Sequence, residues 1–141
     1  MLNQIFVYGT LKKGQRNEGV WPKCPLQIQP AWVRGRLFDR QDYPAMQAGD
    51  DRVLGELWTM AADDMNEVIR SLDHLEGTQG NGPNDVYHRL HVQVFDFDLD
   101  LAEGSLGDAI TYLYVRDPLA DGFTLMTPGS NDFVEWPKRG D

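Results

Sequence analysis

The chain has 141 residues, 41% of them hydrophobic and 25% charged, with a net charge of −9 at pH 7. That length and balance describe one globular domain able to bury a core without staples, and the acidity argues against a surface that tracks nucleic-acid phosphates. A single cysteine, Cys24, excludes an intrachain disulfide and fits a reducing compartment with an inert thiol.

The first residues, MLNQIFVYGTL, have no basic region and no long apolar stretch, and nothing in the chain approaches the ~20 apolar residues of a membrane span. A cytoplasmic protein with no membrane partner is expected. Ile5–Tyr8 is a compact apolar run closed by Gly9 and predicts a buried strand. Lys12 to Pro30 is polar and proline-punctuated, so a loop with a short helix is expected. Ala31–Phe38 and Val53–Met60 predict strands, separated by the turn-rich DRQDYPAMQAGDD. Asp63–Leu75 predicts the one clear helix, followed by the glycine-rich loop GTQGNGPND. Tyr87–Phe97 and Ala109–Val115 predict long strands around a turn near Glu103–Asp108, and the tail from Pro118 reads as irregular. Strands before and after a single helix predict an α+β domain, a curved and mostly antiparallel sheet or barrel with a helix against it.

The helix carries an anomaly. At about 100° per residue, Met65, Val68, Ile69, Leu72 and Leu75 form one apolar stripe, with Glu67, Arg70 and His74 opposite. Glu76 falls inside the stripe. Asp63 or Asp64 suits the N-cap and Gly77 the C′ position, while Asp73, on the flank, reads as solvated or capping. A carboxylate in the last turn also opposes the helix dipole. Two readings stay open on periodicity. Either the helix frays at Leu75 and Glu76 turns out into water, or Glu76 is partly buried at the mouth of a cavity. Burial there would raise its pKa and suit a proton shuttle.

The second pointed feature is FVYGTLKKGQRN, Phe6 to Asn17. Gly9 permits a tight or left-handed turn, after which the Thr10 and Leu11 amides are free to form an anion nest; a plain strand-ending turn is the alternative. The stretch GTLKKGQR has the spacing of a phosphate loop, but Gln15 and Arg16 stand where Lys and Ser/Thr are required. His74, His88 and His91 share no zinc-ligand spacing with Cys24 or with one another. No G-x-S-x-G elbow and no calcium-loop spacing occurs. Neither metal, cofactor nor covalent chemistry is indicated, which leaves one carboxylate and an amide nest.

In order along the chain, FVYGTLKKGQRN, VRGRLFDRQDYPAM, VLGELW, LDHLEG, VYHR and ITYLYV resemble the gamma-glutamylcyclotransferase-like proteins, in the AIG2-like branch that includes gamma-glutamylamine cyclotransferases. The resemblance runs from Phe6 to about Val115, with a weaker echo in PGSNDF. It implies a small, highly twisted, mostly antiparallel β-barrel with flanking helices, in a single domain over 1–141 with its core at about 5–115. It implies that Tyr8, Gly9, Thr10 and Leu11 bind a glutamyl head, that Glu76 is the acid/base, and that Tyr114, or else Tyr112, lines the pocket. The implied partner is a small γ-glutamyl amide, cyclised to 5-oxoproline with release of an amine and without metal or cofactor. Arg36 and Arg89 are alternative carboxylate anchors, read as solvated strand positions. One departure is Thr78, where relatives carry a bulky residue; with the loop Gly77–Asp85 it bears on the leaving group. A non-catalytic small-molecule binding module on the same scaffold is the rival reading.

Overall fold

A computed structural model describes residues 2–97 and 104–137. Strands β1 (Gln4–Val7), β2 (Gln27–Asp39) and β3 (Ala45–Thr59) precede the helix α1 (Met65–Glu76); β4 (Tyr87–Asp96), β5 (Ser105–Tyr114), β6 (Thr124–Leu125) and β7 (Phe133–Glu135) follow it. Neighbouring strands run β2–β4–β5–β1–β3, and β3 pairs back onto β2, so five strands close into a barrel. Pairing inside the ring is antiparallel except where β1 lies parallel to β5. β6 adds to β2, and β7 adds parallel to β3. Where the resemblance implied flanking helices, the described residues hold one α-helix and two single 3-10 turns, Glu18–Val20 and Ala62–Asp64.

β1 is central because its Ile5, Phe6 and Val7 are all buried, as a strand covered on both faces requires. β2 and β3 run well past their predicted ends. The register steps from Gly35↔Asp51 to Arg36↔Gln47, so Ala48, Gly49 and Asp50 bulge out and the strand then resumes to Ala45. Arg34 Nη1 holds the bulge at the Asp50 carbonyl, 2.9 Å away. Ala, Gly and Asp are poor strand formers, which is why this stretch reads as turn; a bulge tolerates them. β5 likewise starts at Ser105, inside the turn expected at Glu103–Asp108, and Glu103 lies outside the described residues.

The helix buries Met65, Val68 and Leu72 against Ile5, Val7, Trp58 and Met60. Asp64 stands at the N-cap, but its side chain makes no capping bond. The stretch beyond Val115, expected to be irregular and outside the core, instead buries Phe123, Met126, Val134 and Trp136 and supplies β6 and β7. Two residues in β6 and three in β7 are too few to show a period, which hid them. Among the described residues no helix is long and apolar enough to cross a membrane.

Candidate active site

A cavity of about 280 Å³ opens between the end of β1 with its following turn, the last turn of α1, the β2–β3 hairpin, the start of β4 and the end of β5. Its lining includes Tyr8, Gly9, Thr10, Leu11 and Glu76, so five of the six residues expected at a site meet there, from segments more than sixty positions apart in sequence. Tyr114 does not join them. It pairs directly opposite Tyr87 and shares its face, but its hydroxyl donates to Asp121 of the tail while its ring packs on Tyr87 and Phe123, and Tyr87 is the one that lines the cavity. The late-strand tyrosine that lines the cavity is Tyr112.

The helix does not fray before Glu76. Gly77 adopts the left-handed conformation (φ 75°), the Gly77 amide donates to His74, and the Thr78 amide donates to Asp73. These are the two bonds of a Schellman stop, which glycine makes without a Cβ penalty. Glu76 is therefore the last helical residue, and the stripe beneath it turns its side chain to the cavity. It keeps some accessible surface because the cavity is hollow, yet protein surrounds it. Burial raises its carboxyl pKa from 4.5 to about 7.

The tyrosines explain why nothing lowers it again. The charge of Glu76 is felt at Tyr8, Tyr87 and Tyr112, so three phenols stand near the carboxylate. Each donates its proton elsewhere. Tyr8 donates to the Tyr112 carbonyl at 2.5 Å, Tyr87 to the Pro44 carbonyl at 2.8 Å, and Tyr112 to Asp73 Oδ1 at 2.6 Å. Burial, reinforced by Glu76, holds all three phenols well above their ordinary pKa, so they stay protonated donors. A carboxylate denied donors in a low-dielectric pocket keeps a high proton affinity.

The turn after β1 is held from behind. The Lys12 amide donates to the Gly9 carbonyl (3.1 Å), Asn17 clasps Thr10 through both its backbone amide and Nδ2 (2.9 Å each), and Trp21 Nε1 donates to the Leu11 carbonyl (3.0 Å). Glu56 Oε1 accepts from the Lys13 amide (2.8 Å), and Lys12 Nζ reaches the Trp136 carbonyl (2.5 Å). No acceptor among the described residues takes the Thr10 or Leu11 amide. Two unpaired amides on a rigid turn are what an anion or oxyanion requires. Gly9 is not in the left-handed region. Glycine is needed there because a Cβ would sit 2.6 Å from Pro44 Cγ.

Asp73 is partly buried and fully engaged rather than a free surface carboxylate. It accepts from Tyr112 and pairs with Arg89 Nη1 at 2.5 Å, bolting the helix to β4 and β5. Arg89 is thus engaged outside the cavity, and Arg36 is exposed on β2. No residue of the loop Gly77–Asp85 lines the cavity. The loop is knotted on Asp85 Oδ2, which accepts from Thr78 Oγ1 (2.7 Å) and the Gln79 and Gly82 amides (2.9 and 2.7 Å). These bonds hold the Asp85 carboxyl below its usual range. Asp85→Ala is expected to speed hydrogen exchange at Gln79 and Gly82 without altering chemistry in the cavity; a parallel loss of activity would make the loop part of the site.

Sequence reasoning passed over Arg16, Asn17, Tyr43, Pro44 and Tyr87 as lining residues. All five lay within quoted motifs, but their approach to one another depends on barrel closure.

The fold and site have relatives. The gamma-L-glutamyl-butirosin B gamma-glutamyl cyclotransferase of Niallia circulans is 29% identical over 115 residues, covering 80% of this chain and 67% of the relative. An AIG2-like protein from Mus musculus shares the fold with a TM-score of 0.63 at 20% identity, over 99% of both chains. YkqA of Bacillus subtilis matches with a TM-score of 0.58 at 24% identity over 89% of this chain, which spans only 38% of that larger protein. The family model described as gamma-glutamyl cyclotransferase, AIG2-like, matches residues 5–132, and the chain belongs to that family.

Proposed function

We propose that the chain cyclises a γ-glutamyl amide to 5-oxoproline and releases an amine, with Glu76 as the proton shuttle. The observation that carries this reading is a carboxylate with a proton affinity near neutrality, in the wall of a cavity that Thr10 and Leu11, with their two unpaired amides, also line. The activity for which the Niallia circulans relative is named belongs to the same reaction class.

The chemistry follows from the substrate. Its α-nitrogen attacks its own γ-carbonyl carbon, a carbon–nitrogen bond closes the five-membered lactam, and the original amide bond breaks. Because the nucleophile is tethered, orientation supplies much of the acceleration, on the order of 7–11 kcal/mol in favourable cases. This route needs neither a protein nucleophile nor a metal. The α-ammonium loses two protons on becoming a lactam N–H, and the expelled amide nitrogen gains two on becoming an ammonium. One carboxylate that accepts and returns protons balances the reaction. The Thr10 and Leu11 amides would hold the α-carboxylate or the developing oxyanion, and the tyrosine cage would keep Glu76 basic.

A panel of γ-glutamyl amino acids and γ-glutamyl amines, read out as 5-oxoproline, tests the reading; release from none of them rejects it. The pH dependence adds a sharper check. Below about pH 7 Glu76 is protonated and cannot accept from the ammonium. The acid limb of kcat/KM is therefore expected to rise with an apparent pKa near 7, and a limb near 4.5 would show that the free enzyme does not bury Glu76.

A further inference from the structure

Among the described residues, only two that line the cavity carry full charge, Glu76 and Arg16. They lie at opposite depths. Glu76 is set among buried side chains, whereas Arg16 is the one exposed residue of the lining and so marks the mouth, beside the partly exposed Asn17 and Tyr43. On the cyclotransferase reading, on which this inference rests, the glutamyl α-amine must reach Glu76. The head therefore enters first, and the amine to be expelled faces the mouth. A cavity of about 280 Å³ lies near the lower end for ligand sites, so little beyond the head fits inside it.

We propose that Arg16 is a specificity-determining residue that recognises a carboxylate on the amine to be expelled. Its guanidinium is held across the mouth by a hydrogen bond from Nη2 to the Asp42 carbonyl on the β2–β3 hairpin. That bond uses one of its five N–H donors. The acid within reach is already occupied. Arg40 grips the Asp42 carboxylate through Nε and Nη2 at 2.6 and 2.9 Å, which lowers the Asp42 pKa, while Arg40 itself lies over the Tyr43 and Phe123 rings. No carboxylate among the described residues forms an ion pair with Arg16. In a chain of net charge −9, a cation anchored at a pocket mouth with no acidic partner offers a planar fork to an incoming carboxylate. A γ-glutamyl amide of an amino acid places its ammonium at Glu76 and its second carboxylate at Arg16; a γ-glutamyl alkylamine meets only the first.

Binding in a Glu76→Gln background separates recognition from chemistry, with γ-glutamylglycine and γ-glutamylmethylamide as probes that differ by the carboxylate. The glycine compound is expected to bind about fivefold more tightly, a partly exposed charge pair being modest. Adding Arg16→Met should bring the ratio close to one and leave the methylamide affinity unchanged. A ratio near one without the Arg16 change, a ratio that survives it, equal weakening of both probes, or binding of neither would each overturn the proposal. Equal weakening would place Arg16 on the glutamyl head instead. Wild-type protein tested separately for 5-oxoproline reports on the reaction itself. Failure there, with the expected binding ratio intact, would reject the cyclotransferase reading and keep Arg16 only as the contact for the second carboxylate of a bound γ-glutamyl compound.

Discussion

Glu76→Gln is expected to lower turnover by about 10²–10⁴ while making the protein more stable at pH 8. The two effects share one cause. Folding raises the Glu76 pKa from 4.5 to about 7, so the folded chain holds a proton there more tightly than the unfolded chain. The stability this confers is complete below pH 4.5 and is lost as pH rises through 7, where the ionised carboxylate is confined in the cavity. Glutamine keeps the shape and removes the charge. The gap between variant and wild type should open between those two pH values and level off above, at about 1–3 kcal/mol. Denaturant titrations at several pH values measure it, alongside 5-oxoproline formation. A Gln variant with full turnover would remove Glu76 from the chemistry. One less stable than wild type at pH 8 would show that a donor absent from this geometry satisfies the carboxylate.

Gly9→Ala is the second large effect. The new Cβ would lie 2.6 and 2.9 Å from Pro44 Cγ and Cδ. The proline ring cannot swing aside as a flexible side chain would, and the Pro44 carbonyl is tied to the Tyr87 hydroxyl. Either the turn moves away from the cavity or the hairpin does, and each displaces lining residues. Overpacking of this kind costs about 1–3 kcal/mol, and a shift near 1 Å at a reacting centre can cost on the order of a hundredfold in rate. Both the denaturation midpoint and kcat/KM should fall. Gly19→Ala is a suitable control, since nothing stands within 4 Å of the added carbon. Unchanged melting and kinetics in the Gly9 variant would show that the turn tolerates bulk and does not position substrate.

How much was legible depends on the range of the forces involved. The helix and a stop at Gly77 follow from local periodicity and capping, but periodicity leaves Glu76 open between a frayed end and a cavity wall, and the bonds that close the helix at Gly77 and Thr78 are what separate the two. Strand β1 and its turn follow from an apolar run ended by a glycine. The reason for Gly9 did not, because the residue that crowds it, Pro44, lies thirty-five positions away. The same limit separates Tyr112 from Tyr114. Alternate residues of one strand share a face, so periodicity weighs them equally; only the tail, through Asp121 and Phe123, engages Tyr114 outside the cavity lining. The loop Gly77–Asp85 looks mobile by its glycines, yet one carboxylate accepting several hydrogen bonds ties it down, and no compositional rule anticipates that knot.

The bond from Tyr8 to the Tyr112 carbonyl and the bond from Tyr112 to Asp73 join the two halves of the site across the barrel wall. The turn that would hold substrate and the helix that carries Glu76 cannot drift apart while the ring of strands stays closed. An intact but inactive form therefore has no separate temperature range in which to accumulate. Heating should abolish turnover and near-ultraviolet ellipticity over one and the same interval, so thermal inactivation of this protein is a direct gauge of its unfolding.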